Sequence, residues 1–139
     1  VPTIHHSNWL ILSTDIKVRD MILHRGDIHH VFPKNFLRQK YDSRTDYNQI
    51  ANFVYAQQEI NISIGDKSPK QYMSEISDQC NTKKLKYGNI TDKDQLRDNL
   101  IKHCIPESIF EMNIENYPEF LIQRRKLMAN KIKKYYQSL

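Results

Sequence analysis

Glycine is scarce in this sequence, 3 of 139 residues. No glycine-rich loop able to cradle a nucleotide phosphate can be assembled from so few, so this chain is not expected to bind nucleotides. Cysteine is rarer still. Cys80 and Cys104 lie far apart and outside any CxxC pair, which excludes a disulfide framework and a cysteine zinc site and makes a reducing cytoplasm the simplest compartment. No run approaches the ~18 apolar residues of a membrane span, and no basic, apolar, small-residue series reads as a signal peptide. No internal repeat or low-complexity segment is present. The chain opens at Val1 rather than Met, which suggests a piece, expected to be the C-terminal part, of something longer.

Hydrophobic residues make up 39% and charged residues 27%, with mean hydropathy at -0.71. Such a chain folds as one domain, residues 1–139, around a thin core. Lys and Arg number 21 against 16 Asp and Glu, a net +5 with a pI near 9.2. That balance suits a polyanionic partner without requiring one.

Trp9-Leu-Ile-Leu12, Met21-Ile-Leu23 and Asp27-Ile-His-His-Val-Phe32 are the most β-like stretches, with Gly26 available as a turn residue between the last two. Pro33 stops the last strand because it has no N–H for a ladder, and Asn35–Arg38 can make one helical turn before an exposed polar loop, Tyr41 to Tyr47. Asn52-Phe-Val-Tyr-Ala56 reads as a strand that passes into a helix at Gln57. From residue 68 the pattern is helical. Ser68 caps a helix opening at Pro69, with Tyr72, Met73 and Ile76 on one face. Thr91–Asp94 resembles a capping box for a helix carrying Leu96, Leu100, Ile101 and Cys104, ended by Pro106. A last helix from Pro118 repeats Phe120, Leu121, Arg124, Leu127, Met128, Ile132, Tyr135 and Leu139 at a 3.6-residue rhythm, its other face basic through Arg125, Lys126, Lys131, Lys133 and Lys134. Phe120, Tyr135 and Tyr136 are expected in the core.

The chemistry concentrates between Asp27 and Pro69, which reads DIHHVFP, a polar loop, NFVYAQQEIN and GDKSP. Imidazole takes protons near neutral pH and binds divalent metals, so one strand end can hold both a base and a ligand. Asn61 follows Asn52 by nine residues and falls early in a helix, where its amide oxygen can reach a hard cation. An isolated His-His pair usually decorates a surface, which is how His5-His6 is read, and Asn52 alone would be a turn residue. Their joint spacing separates His29-His30 from that reading. His24 and His103 are read as structural or surface residues.

His29-His30-Val31-Phe32-Pro33, Asn52 and Asn61 together resemble the HNH endonucleases with their ββα-metal fold. The IANFVYAQQEIN and GDKSP segments, the Ile105-Pro106 break and Phe120-x3-Arg124-Arg125 are similar to the C-terminal nuclease half of modification-dependent (type IV) restriction systems. The resemblance implies an α+β domain, in which a small ββα-metal unit at about residues 20–66 is embedded in a helical framework completed by 68–139.

It further implies metal-dependent hydrolysis of double-stranded DNA in a bacterial or archaeal cytoplasm, in restriction or antiviral defence. By position, His30 resembles the general base that activates water, and Asn52 the residue that pins the loop and orients that base. His29 and Asn61 resemble the ligands of one divalent ion, Mg²⁺ first, with Mn²⁺ or Ni²⁺ as alternatives; Asp27 could add a ligand. Neighbours on an ideal strand point to opposite faces, so His29 and His30 converge only if the strand end bends or the phosphate reaches both. Lys34, Lys67, Arg124 and Arg125 are the expected nucleic-acid contacts, although a basic helix face is usually just solvated. An N-terminal nucleotide-hydrolysing domain or subunit and a homodimer are the implied partners. The rival expectations are a catalytically silent nucleic-acid-binding module, an HNH nuclease of toxin, phage or homing type, and, last, a structural metal domain.

Overall fold

A computed structural model describes residues 26–139, with side chains from residue 28 onward. Trp9–Leu12, Met21–Leu23, His5, His6 and His24 lie outside the described residues. The architecture among the described residues is mixed, mostly helical with one two-stranded sheet, as the α+β expectation has it.

Strand β1 (Gly26–His30) pairs antiparallel with β2 (Phe53–Gln57) in the register His30↔Phe53, His29↔Val54, Ile28↔Tyr55 and Gly26↔Gln57. Gly26 therefore opens the strand rather than forming a turn before it, and the strand ends at His30, two residues short of Phe32. Val31 N–H still reaches the Asn52 carbonyl at 2.8 Å in the ladder's register, but the pairing stops there because Asn52 N–H donates to the Gln49 carbonyl and Phe32 N–H to the Asn52 side chain.

A helical turn, α1 (Lys34–Leu37), follows Pro33 and buries Phe36 and Leu37. The loop expected to be exposed contains a second turn, α2 (Arg44–Tyr47), because Ser43 caps it by accepting from Thr45 N–H and the Tyr47 ring finds an interior site, 2% exposed. Asn52 closes a 3₁₀ turn (Ile50–Asn52) just before β2, one step earlier than the strand start expected of it. Helix α3 (Gln58–Ile64) runs directly from β2 and stops at Gly65, whose φ of 58° suits glycine.

Helix α4 (Pro69–Thr82) has the expected Ser68 cap, its Oγ accepting from Gln71 N–H at 3.1 Å, and buries Tyr72, Met73 and Ile76. Helix α5 (Lys93–Lys102) is capped by Asp92 rather than Thr91; Leu96 and Leu100 are buried while Ile101 faces solvent, 64% exposed. The chain reverses at Cys104 (φ 58°), with Ile105 N–H returning to the Leu100 carbonyl, so α5 ends before Pro106, which instead opens a 3₁₀ turn (Glu107–Glu111).

After a further 3₁₀ turn (Ile114–Asn116), α6 (Tyr117–Ser138) completes the framework. It buries Tyr117, Phe120, Leu121 and Arg124, but the second half of its apolar stripe is uncovered: Ile132, Tyr135, Tyr136 and Leu139 are exposed. The expectation that Tyr135 and Tyr136 sit in the core is corrected by this; a 3.6-residue rhythm marks a face, not what covers it.

One hydrophobic cluster joins the Val31–Phe32 segment after β1, strand β2 and every helix, with the Phe32 ring centroid 4.9 Å from that of Phe120 and 5.2 Å from that of Tyr117. Among the described residues no helix is long and apolar enough to cross a membrane.

Candidate functional site

In an antiparallel pair, directly opposed residues share a face of the sheet. Val54 and Ala56 are buried, whereas Tyr55 is exposed and Phe53 and Gln57 are half-buried. His29, opposite Val54, therefore lies on the core-facing side toward α3, and His30, opposite Phe53, on the outer side. The two histidines do not converge through a bent strand. Both instead border one small cleft at the strand end, lined also by Val31, Val54, Ala56, Asn61, Ile64 and Tyr72. Its volume of about 10 Å³ is close to that of a single water-sized body. His29, His30 and Asn61, separated by up to 32 positions in sequence, thus all contribute to the lining of one cleft.

Asn52 does not line the cleft; it is fully buried behind it. Its Oδ1 accepts from Phe32 N–H at 2.8 Å, and its Nδ2 donates to the carbonyls of Phe32 and Tyr47, each at 3.1 Å. The side chain thereby substitutes for a missing ladder rung and holds the chain on both sides of the site. Tyr72 adds a second anchor from α4, its hydroxyl donating to the Val31 carbonyl. Burial raises the Tyr72 hydroxyl well above the ordinary phenol value, so it remains a donor.

The His30 ring stands edge-on to Phe53 at 5.2 Å and to Tyr47 at 6.1 Å, and its Nε2 lies 2.9 Å from Asn48 Oδ1. Lys34, an exposed residue, has its ammonium 5.5 Å from the centroid of Tyr47, the ring that His30 meets edge-on.

The remaining expected residues have different placements. Asp27 belongs to β1 by its backbone, and its side chain lies outside the described residues. Lys67 is turned inward, its ammonium bonded to Glu75 (3.0 Å), the Tyr87 hydroxyl (2.8 Å) and the Ser63 carbonyl (3.3 Å). Arg124, 5% exposed, donates to the carbonyls of Ala51 (2.9 Å), Phe53 (2.6 Å) and His103 (3.1 Å), so its guanidinium is an interior clamp across the 3₁₀ turn that carries Asn52. Burial pushes its pKa down to about 10. Arg125 is exposed and reaches Gln49 Oε1 at 3.0 Å.

Asn48, Tyr72 and the clamping use of Arg124 were not legible beforehand, because each depends on a contact between segments distant in sequence. Gln79 is similar: its buried amide makes four bonds, to Lys86, Tyr87 and Ile90, that shape the 83–92 loop. Two roomier hollows, of about 270 and 750 Å³, lie along α5, the 105–110 segment and α6 and include none of the residues of the histidine cleft.

Among the described residues no three His, Cys, Asp or Glu side chains gather into a metal-holding group. Of the residues lining the cleft, His29 and Asn61 are the imidazole and amide that the resemblance assigns to an ion. Such a set suits a divalent ion that completes its shell with water and phosphate oxygens, rather than one caged by protein.

Comparison with known proteins finds one curated relative, the uncharacterized protein MJ0686 of Methanocaldococcus jannaschii, 32% identical over 116 residues that cover 75% of this chain and 20% of the relative. The chain thus spans about a fifth of that protein's length. No family model matches the chain, and no solved structure matches it.

Proposed function

We propose that this chain is an HNH-type nuclease domain that hydrolyses DNA phosphodiester bonds with the help of a divalent metal. The observation that carries the reading is the cleft that His29, His30 and Asn61 line at the end of a strand–strand–helix unit, with Asn52 pinning the turn behind it. The unit spans Gly26–Ile64, inside the 20–66 limits expected for a ββα-metal element.

In this reading His30 accepts a proton from the attacking water on the outer side of the sheet, while His29 and Asn61 are the residues that would hold the ion. The ion, Mg²⁺ first and Mn²⁺ or Ni²⁺ next, would offset charge on the phosphate and on the departing 3′ oxygen. Separation of the two histidines onto opposite faces suits this division of labour, because base and cation act on opposite sides of phosphorus. Asn52 holds β1 and the 3₁₀ turn together so that His30 keeps its place. Lys34, beside Tyr47, and Arg125 with the exposed lysines of α6 would contact the DNA backbone. The cellular role is restriction or defence in a bacterial or archaeal cytoplasm, in company with a nucleotide-hydrolysing domain or subunit.

Nicking of supercoiled plasmid by the 139-residue chain in Mg²⁺, Mn²⁺, Ni²⁺ or EDTA, wild type beside His30→Ala, tests this. The expected outcome is metal-dependent nicking that falls by roughly 10²–10⁴ in the variant. DNA bound but left uncut in every metal would instead make the chain a silent binding module, and a His30→Ala variant that cuts at the wild-type rate would remove His30 as the base.

A further inference from the structure

We propose that Asn48 is a positioning residue that dictates which ring nitrogen of His30 carries the proton, leaving Nδ1 as the atom that accepts a proton from water. The inference rests on His30 being the base, but its geometry is independent of that role. His30 Nε2 and Asn48 Oδ1 are 2.9 Å apart. An amide oxygen can only accept, so the ring nitrogen facing it must be the one bearing hydrogen, and the neutral ring keeps its lone pair on Nδ1.

Two features hold this pair in one arrangement. The His30 ring is confined edge-on by Phe53 and Tyr47. Asn48 ends α2, its N–H bonded to the Arg44 carbonyl at 2.9 Å, and its neighbours are tied down on both sides. The Asp46 carbonyl accepts from the Tyr117 hydroxyl, the Tyr47 carbonyl from Asn52, and the Gln49 side chain from Arg125. Helix α6 thus braces the segment that presents Asn48, which gives Tyr117 and Arg125 a part in aligning the base from 69 or more positions away in sequence.

During hydrolysis one water O–H bond breaks, its proton goes to Nδ1, and the oxygen bonds to phosphorus as the P–O3′ bond breaks; the departing 3′ oxygen takes a proton from solvent. The imidazolium so formed keeps its Nε2–H against Asn48 Oδ1, a charge-assisted bond stronger than the neutral one it replaces.

Long-range ¹H–¹⁵N NMR of the metal-free chain, recorded with His30 neutral, reads the tautomer directly. The expected pattern is a protonated Nε2 and a bare Nδ1 in wild type and in Asn48→Asp, which keeps an acceptor at the same place, and a mixed or reversed pattern in Asn48→Ala. Nicking kcat should fall at least about tenfold in Asn48→Ala, with KM for plasmid within about twofold, and recover in Asn48→Asp. A protonated Nδ1 in wild type would mean the amide faces the ring with its NH₂ and would overturn the assignment, as would a ring pattern unchanged by Asn48→Ala. The expected pattern in a chain that cuts no DNA in any metal would sink the nuclease reading and leave the Asn48–His30 relationship standing.

Discussion

Asn52 and Phe32, 20 positions apart, form a two-point contact in which a side-chain amide does the work of a backbone strand: Oδ1 takes the Phe32 N–H and Nδ2 returns a hydrogen to the Phe32 carbonyl. Phe32 is at once the residue that stacks on Phe120 and Tyr117, so the same contact links the candidate site to the hydrophobic core.

Asn52→Ala should therefore damage stability as well as activity. It strands a buried N–H and two carbonyls, a loss of about 3 kcal/mol or more. Thermal unfolding followed by circular dichroism should show a clear drop in Tm, and Asn52→Asp should also be destabilised because it keeps the acceptor and loses both donated bonds. A Tm within a degree of wild type for the alanine variant would contradict the pinning role.

Arg124→Lys should fare nearly as badly as Arg124→Ala. One ammonium cannot reach three carbonyls on two segments, whereas the planar guanidinium does. Chemical denaturation should place both variants at least about 2 kcal/mol below wild type. Equal stability of Arg124→Lys and wild type would argue against the clamp.

Acid stability should depend on Glu75. Burial alone would raise its carboxyl, but hydrogen bonds from Tyr87, Lys67 and Lys86 outweigh that and hold it below the ordinary carboxylate value. Because the folded value is the lower one, the contribution is complete above the unfolded value near 4.5 and fades as pH drops through the folded value. The stability gap between wild type and Glu75→Gln should be widest near neutrality and shrink below pH ~4. A gap that does not change with pH would remove the ionised carboxylate from the account.

Chelation separates a catalytic ion from a structural one. The described residues share a hydrophobic cluster that needs no metal to form, so EDTA should abolish nicking and leave Tm within about 2 °C, unlike a zinc-dependent fold. Asn61→Ala should raise the metal concentration needed for half-maximal nicking. An unchanged metal titration would take Asn61 out of the ligand set.

The uncovered end of α6 should be dispensable for folding. Ile132→Ser and Tyr136→Ser should each cost less than about 0.5 kcal/mol, against roughly 3–5 kcal/mol for Phe120→Ala, measured by the same denaturation assay.

Local chemistry explains what could be read in advance. The cap at Ser68, the opening at Pro69 and the strand passing into a helix at residues 53–64 follow from single residues acting on their neighbours, and all are present, whereas the first strand ends at His30, ahead of the stop expected at Pro33. His29, His30 and Asn61, singled out by their spacing, all line one cleft in the fold.

Errors arose where the outcome rests on distant partners. Tyr47 looked like loop and is core, Tyr135 and Tyr136 looked like core and face solvent, and Lys67 and Arg124 looked like surface cations and hold the interior. A side chain's type states what it can bond to, and its local period states which way it points. Only tertiary packing decides what is there to meet it. The sequence by itself thus determined the main helices, the paired strand at 53–57 and the histidine–asparagine pattern, because these depend on sterics and hydrogen bonds within a few residues. The register that separates His29 from His30, the Asn48 contact on the base and the bracing of both by α6 were decided by the folded structure, because these bonds span 18 to 76 positions and form only when the core closes.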